Sequence, residues 1–343
     1  MNNVIQAKKD KYIKFYELDP NVKKLFHIHI ANNPNVKPMP YLRRENMQGR
    51  IDSAVSSYES AMSRADWLND DFIPYATCGT GTEIFAEAFG CQVMRPDNTM
   101  PFAMPFITEA AEAAKIKIPK LEDSTLYYLF EMADKIKEKC GDEALLGLVD
   151  VQTPMDIAAL IWDKTYFFAA MIDEPEAVKE LAHKISQLYF AFFDEWFRRY
   201  GPEFISHCPD YYMPSGFTYS EDEVGAVSPK MFEEFFLPEL IEISDRYGNV
   251  GMHCCAHARH QWENFKKIPN LKMINYVPPH VDLRESIEYF TGVTAMFPWW
   301  SGSGGPETWF SQLNENSHVL LDFTAQNEEE AKELADKINK ALA

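Results

Sequence analysis

The sequence predicts an α/β protein, a (β/α)8 TIM barrel with an N-terminal helical extension. Three observations carry this reading. Eight short apolar runs bounded by turn residues recur along the 343 residues. Amphipathic helical stretches separate most of them, which implies parallel strands joined by crossovers. The last four runs open near Asn249, Leu271, Val293 and His318, about one βα unit apart. A doubly wound open sheet would need Gly-x-Gly-x-x-Gly between a strand and a helix; the nearest glycine cluster, "CGTGTE" at 78–83, has the wrong spacing.

In chain order, "KLFHIHIA" (24–31) is the first strand, followed by a long helical stretch at 42–68, "LRRENMQGRIDSAVSSYESAMSRADWL", expected to cap the barrel bottom or form the N-terminal appendage. The strand "FIPYATC" precedes the helix "DSTLYYLFEMADKIKEKCG", and "LLGLVDV" and "EFISHC" supply the third and fourth strands. The helix "SPKMFEEFFLPELIEISDRYG" leads into the strand "NVGMHCC". Then "HQWENFKKIPN", "LKMINYV", "VDLRESIEYFTG", "VTAMFPW", "HVLLDF" and "NEEEAKELADKINKALA" alternate helix and strand to the end. Residues 1–343 fit one barrel domain built around one large core.

Composition narrows function. The formal charge of −19, from 52 acidic against 33 basic side chains, excludes a polyanionic partner such as nucleic acid, whose phosphates need Lys and Arg. The opening "MNNVIQAKKDKYIKFYELDP" lacks the apolar centre of a signal peptide, and no run approaches the roughly 18–20 apolar residues of a membrane span. Six cysteines without framework spacing suit a reducing, cytoplasmic setting, where cysteine chemistry is thiolate or metal chemistry.

The densest chemistry lies in "GMHCCAHARH", residues 251–260. On a strand, His253 and Cys255 point to one face and Cys254 to the other, because side chains alternate. A Cys-Cys pair by itself is more often core filler than ligand. The histidine two residues away changes that balance. Imidazole nitrogen with thiolate sulfur favours zinc, and a catalytic zinc keeps three protein ligands and one open position. Cys254 is assigned to packing, and His257 and His260 to surface or supporting roles.

Other strand ends offer further candidates. Glu83 and Asp150 have the chemistry of an acid, a base or an alternative ligand, weighed against helix capping. His207 and Asp210 stand with Tyr211 in "SHCPDYYMPSG", a loop suited to substrate contact. "FPWWSGSGGPETW" places Trp299, Trp300 and Trp309 around a glycine-rich turn, where an exposed aromatic face suits a flat ligand although tryptophans more often pack.

The segment from Ser228 to Val277 resembles the uroporphyrinogen decarboxylase superfamily, in which a Ser-Pro-x-x-Phe-x-x-Phe-x-x-Pro helix leads to a His-x-Cys strand end. Similar echoes run from "FIPYATCGTGTEIFAEAFGCQV" through "VQTPMDIAALIWD" and "DEPEAVKELAHKI". The resemblance implies a (β/α)8 barrel, often a homodimer, and one of two activities: decarboxylation, or zinc-dependent methyl transfer between a corrinoid protein and a small-molecule thiol or folate acceptor. The decarboxylases' Arg-Gln-Ala-Gly-Arg segment is absent around Arg43 and Arg44, and Cys78 stands where their aspartate is expected. The methyltransferase branch is therefore favoured. It implies a zinc site of His253, Cys255 and a downstream cysteine, but the chain has Ala256-His257 where that branch has Gly-Asn, and no cysteine after Cys255. Asp322 is the nearest residue able to ligate at the downstream position, with Glu83 second. The expected site is thus Glu83, His207 and Asp210 as catalytic groups, Tyr211 and Trp299 as cofactor contacts, and His253, Cys255 and Asp322 on zinc. All five catalytic and cofactor residues are expected to share one cavity. A barrel that has lost its complete zinc site and acts only by binding is the non-enzymatic alternative.

Overall fold

The walls of the barrel are built from β1 (Lys24–Ile30), β2 (Tyr75–Thr77), β3 (Leu145–Gly147), β4 (Phe217–Ser220), β5 (Val250–Cys254), β6 (Leu271–Tyr276), β7 (Ala295–Met296) and β8 (Val319–Ala325). The structure, a computed structural model, describes residues 3–31, 33–97, 99–277 and 283–343. One parallel sheet runs β1-β8-β7-β6-β5-β4, and β2 pairs with β3 in a second.

Two irregular seams join these sheets into the (β/α)8 barrel. At one, a parallel bridge links Gln152 to Ser220, and the Ser220 amide donates to the Val151 carbonyl at 2.9 Å. At the other, the Asp71 amide donates to the Phe26 carbonyl at 2.8 Å. Across this seam the carboxylates of Asp71 and Asp70 accept from the amides of Phe26 (2.9 Å) and Ile28 (3.2 Å). Lys11 and Lys8 pair with those two carboxylates, so neither charge is buried alone. One continuous apolar core runs from Ile5 to Ile338.

Several elements differ from expectation. In "EFISHC" only Phe204–Ile205 is extended; it lies parallel to β3 and turns back antiparallel onto Tyr212–Met213. The fourth wall strand is Phe217–Ser220, "FTYS", whose one phenylalanine and three hydroxyl-bearing residues carry little apolar signal. The stretch at 42–68 is not an appendage. Its helix, Met47–Ala65, is the first crossover between β1 and β2. The N-terminal extension is the helix Asn3–Tyr16, whose lysines mask an apolar face of Ile5, Tyr12, Phe15 and Tyr16. Lys9 pairs with Glu203, and the Tyr16 hydroxyl donates to the Tyr212 carbonyl at 2.6 Å, so this helix closes the barrel base against the hairpin.

The helix leading to β5 contains Pro238, which has no amide to donate. A π-helical turn at Phe232–Phe236 precedes it and absorbs the mismatch before Leu237–Tyr247 continues. The first two residues of "VDLRESIEYFTG", Val281 and Asp282, lie outside the described residues; Leu283–Phe290 is helical. Among the described residues no helix is long and apolar enough to cross a membrane.

Candidate active site

β5 ends in the barrel mouth, and its alternation sorts the three residues of interest. Cys254 is fully buried in the core, whereas Cys255 is exposed just beyond the strand. His253 is buried and shares its face with Cys255. The two gather with Asp222, their ligand atoms all within 4.8 Å of one another. Register explains the third member. β4 is the neighbour of β5, with Ser220 opposite His253, so the loop leaving β4 carries Asp222 over the end of β5. There its carboxylate accepts the Cys255 amide at 2.7 Å.

Asp322 does not join this group. Asp322 instead lies opposite His27 on β1 and gathers with His27 and His29.

The imidazole of His253 is held in one tautomer. The Asn275 amide nitrogen donates to the Phe297 carbonyl, which turns the Asn275 oxygen toward His253 Nδ1 at 2.5 Å. Nδ1 must therefore carry the proton, leaving Nε2 as the ring's lone pair. Asn275 faces His253 directly across the β5–β6 ladder.

The electrostatics of the mouth are acidic. Although Cys255 is exposed at the residue level, partial desolvation of its sulfur in the mouth and the neighbouring Asp222 carboxylate push the thiol up to about 12. Burial, with Asp150 and Asp222, pushes Cys208 up to about 12 as well, its sulfur 3.8 Å from His253 Nδ1. Without a cation, both thiols keep their protons. A divalent ion reverses this, because coordination deprotonates a thiol outright. Nitrogen, sulfur and oxygen donors within ligand reach, a preset imidazole and excess negative charge all fit zinc, with Asp222, His253 and Cys255 as the residues able to hold it.

The other expected residues spread over the mouth rather than converging. His207 faces Asp150 at 3.6 Å; burial raises the Asp150 carboxyl, and His207 and His253 oppose that rise. His207 also lines a cavity of about 330 Å3 with Met39, Leu42, Thr80, Arg95 and Met100. Glu83 is buried behind the same region, 3.9 Å from Arg95, and burial raises its carboxyl. Asp210 turns elsewhere and accepts the Tyr75 hydroxyl at 3.2 Å. Tyr211, expected as a cofactor contact, is 2% exposed, its ring against Phe297 and its hydroxyl over Gly251, where any Cβ would overlap it. It belongs to the core, because its loop folds inward over β5. Trp299 is 43% exposed with its ring 6.2 Å from that of His253.

The family model for uroporphyrinogen decarboxylase (URO-D) matches residues 76–296, about two thirds of the chain. The chain belongs to the uroporphyrinogen decarboxylase family. Among curated proteins none matches it. Among solved structures it is similar to a methyltransferase from Methanosarcina mazei, with 12% identity, 98% of each chain covered and a TM-score of 0.67. At that identity the likeness is one of fold. A structure named for a vitamin-B12-independent methionine synthase from Listeria monocytogenes is more distant, with 11% identity, coverage of 91% of this chain and 98% of that one, and a TM-score of 0.48.

Residues missed by sequence reasoning are Asp222, Asn275, His27 and His29. The His-x-His of "FHIHIA" carried a visible period-two signal; Asp222 and Asn275 carried none, being single polar residues whose role depends on the neighbouring strand.

Proposed function

We propose that this URO-D family member is a zinc-dependent methyltransferase that moves a methyl group between a corrinoid carried by a partner protein and a small thiol or folate acceptor. The observation that supports it most is the Asp222–His253–Cys255 trio, three different donors within 4.8 Å of one another at the ends of two neighbouring strands. When bound there, zinc supplies Lewis acidity and a position at which an acceptor thiol is held as thiolate. The protein's own residues do the rest. Asn275 orients His253 through Nδ1, and Asp222 ties the Cys255 backbone to the β4 loop. His207, paired with Asp150, stands at the cavity wall as the group able to exchange a proton with a bound acceptor. Glu83 supports that wall through Arg95, and Asp210 anchors Tyr75. Trp299 offers an exposed aromatic face beside His253 for a flat macrocycle.

Decarboxylation of a polyacidic substrate fits less well. Arg50 is buried and donates to the carbonyls of Cys78 and Gly79, while Arg43 and Arg44 donate to the carbonyls of Arg95 and Thr125. These guanidiniums are already engaged by backbone.

The test has two parts. Protein purified in zinc-replete medium should hold zinc that Asp222→Asn and Cys255→Ser each lose, and with methylcobalamin and a thiol it should form the methyl thioether. Zinc-free protein, or variants that keep the metal, would overturn the site; bound zinc without transfer to any thiol or folate would overturn the reaction.

A further inference from the structure

We propose that His27, His29 and Asp322 form a second divalent-metal site, made of two imidazoles and one carboxylate on β1 and β8, separate from the trio at the end of β5. The ligand atoms of all three lie within 4.8 Å of one another. Backbone geometry brings them together. His27 and His29 are two apart on β1 and so share a face, and the parallel register sets Asp322 directly opposite His27. Asp322 Oδ1 lies 3.4 Å from His27 Nδ1 and 3.2 Å from His29 Nε2, so both rings address one oxygen. The rings stand nearly perpendicular, at 85° with centroids 6.2 Å apart, converging rather than stacking.

A second observation points to a ligand in the gap. His27 is 2% exposed, and its Nδ1 makes no well-formed hydrogen bond: the nearest partner is the Asp322 carboxylate, at 3.4 Å. A buried ring nitrogen is normally held at full hydrogen-bond distance, so this longer contact leaves room for an ion between the ring and the carboxylate. The other nitrogen of His27 is held by the Tyr12 hydroxyl at 2.7 Å, so the ring is fixed from its far side as the second nitrogen of a metal-bound imidazole is. A metal on Nδ1 requires Nε2–H to donate to the Tyr12 hydroxyl oxygen, a direction that the 2.7 Å contact allows.

Two imidazoles and a carboxylate leave coordination positions open, a set that suits zinc or iron(II) and lacks the sulfur of the first trio. The open side is reachable, since His29 lines a cavity of about 360 Å3 with Asn33, Ser57, Ser60, Arg64 and Phe72. Arg64 does not fill the gap: its guanidinium lies 4.0 Å over the Phe72 ring and donates to the Ile28 carbonyl. Phe297 stands between the two clusters, 5.8 Å from the His27 ring and receiving Asn275 of the other site on its carbonyl.

Cobalt(II) titration of the metal-free full-length protein separates the two sites, because only a thiolate-bound cobalt gives an intense near-ultraviolet charge-transfer band. Wild type should take two equivalents. His29→Asn, a half-exposed position, and Asp322→Asn should each take one and keep the sulfur band. Cys255→Ser should take one and lose it. A wild type with one equivalent and no sulfur band, lost in His29→Asn, would support this site while removing the zinc reading of the first. A wild type whose only cobalt carries the sulfur band, or a His29→Asn protein that still binds two equivalents, would overturn the proposal.

Discussion

Replacing Asn275 by Leu should weaken zinc binding at His253 without touching any ligand. Asn275 is fully buried, and its side chain does two things at once: it donates to the Phe297 carbonyl and accepts from His253 Nδ1 at 2.5 Å. Leucine preserves most of the volume but leaves the Nδ1–H unpaired and the ring free to change tautomer. Loss of such an outer partner weakens metal affinity by about 10–100-fold, or about 1.4–2.7 kcal/mol. The stranded buried donor also lowers folding stability by about 1–3 kcal/mol. Asn275→Asp keeps an acceptor facing the imidazole and should lose less affinity than the leucine variant. The assay is competition with a chromophoric zinc chelator at neutral pH, on proteins whose circular dichroism matches wild type. Wild-type affinity in a folded Asn275→Leu protein would refute the argument, because His253 would then need no second contact to present Nε2.

Three further outcomes are expected. Cys254→Ala should leave zinc content unchanged while Cys255→Ala abolishes it, since Cys254 is packed in the core and Cys255 faces Asp222; equal loss in both, measured by elemental analysis, would contradict the face assignment. Gly251→Ala should destabilise by about 1–3 kcal/mol in denaturant titration, because its Cβ would overlap the Tyr211 hydroxyl and force that ring out of place; an unchanged midpoint would show the ring to be freely displaced. Burial raises the Glu239 carboxyl well above its usual value, outweighing the Met155 amide that donates to it. The unfolded chain releases that proton near about pH 4.3 while the folded chain keeps it, so this group makes stability fall as pH rises above that value, by about 1.4 kcal/mol per pH unit until the folded carboxyl ionises. Glu239→Gln retains an acceptor and removes the titration, so its stability relative to wild type should grow between pH 5 and pH 8; parallel curves would rule this out.

What the sequence by itself determined is whatever depends on local periodicity. Alternating apolar runs and amphipathic crossovers specify a parallel barrel, and period two on β5 puts His253 with Cys255 and sends Cys254 to the core, all before any contact between elements is known. The same rule was available in "FHIHIA". Failures came where the local signal was weak or the meaning non-local. "FTYS" is too short and hydroxyl-rich to read as a wall strand, and the lysines of Asn3–Tyr16 hide a buried face. The third partner of each histidine cluster was decided only by tertiary structure. Asp222 and Asp322 are equally plausible oxygen donors in one dimension, 31 and 69 residues from His253. Strand order settles the matter: β4 adjoins β5 and β8 adjoins β1, so inter-strand register assigns Asp222 to His253 and Asp322 to His27. Hydrogen-bonded neighbours lie about 4.8 Å apart whatever their separation in the chain, and ligands must meet at such short range.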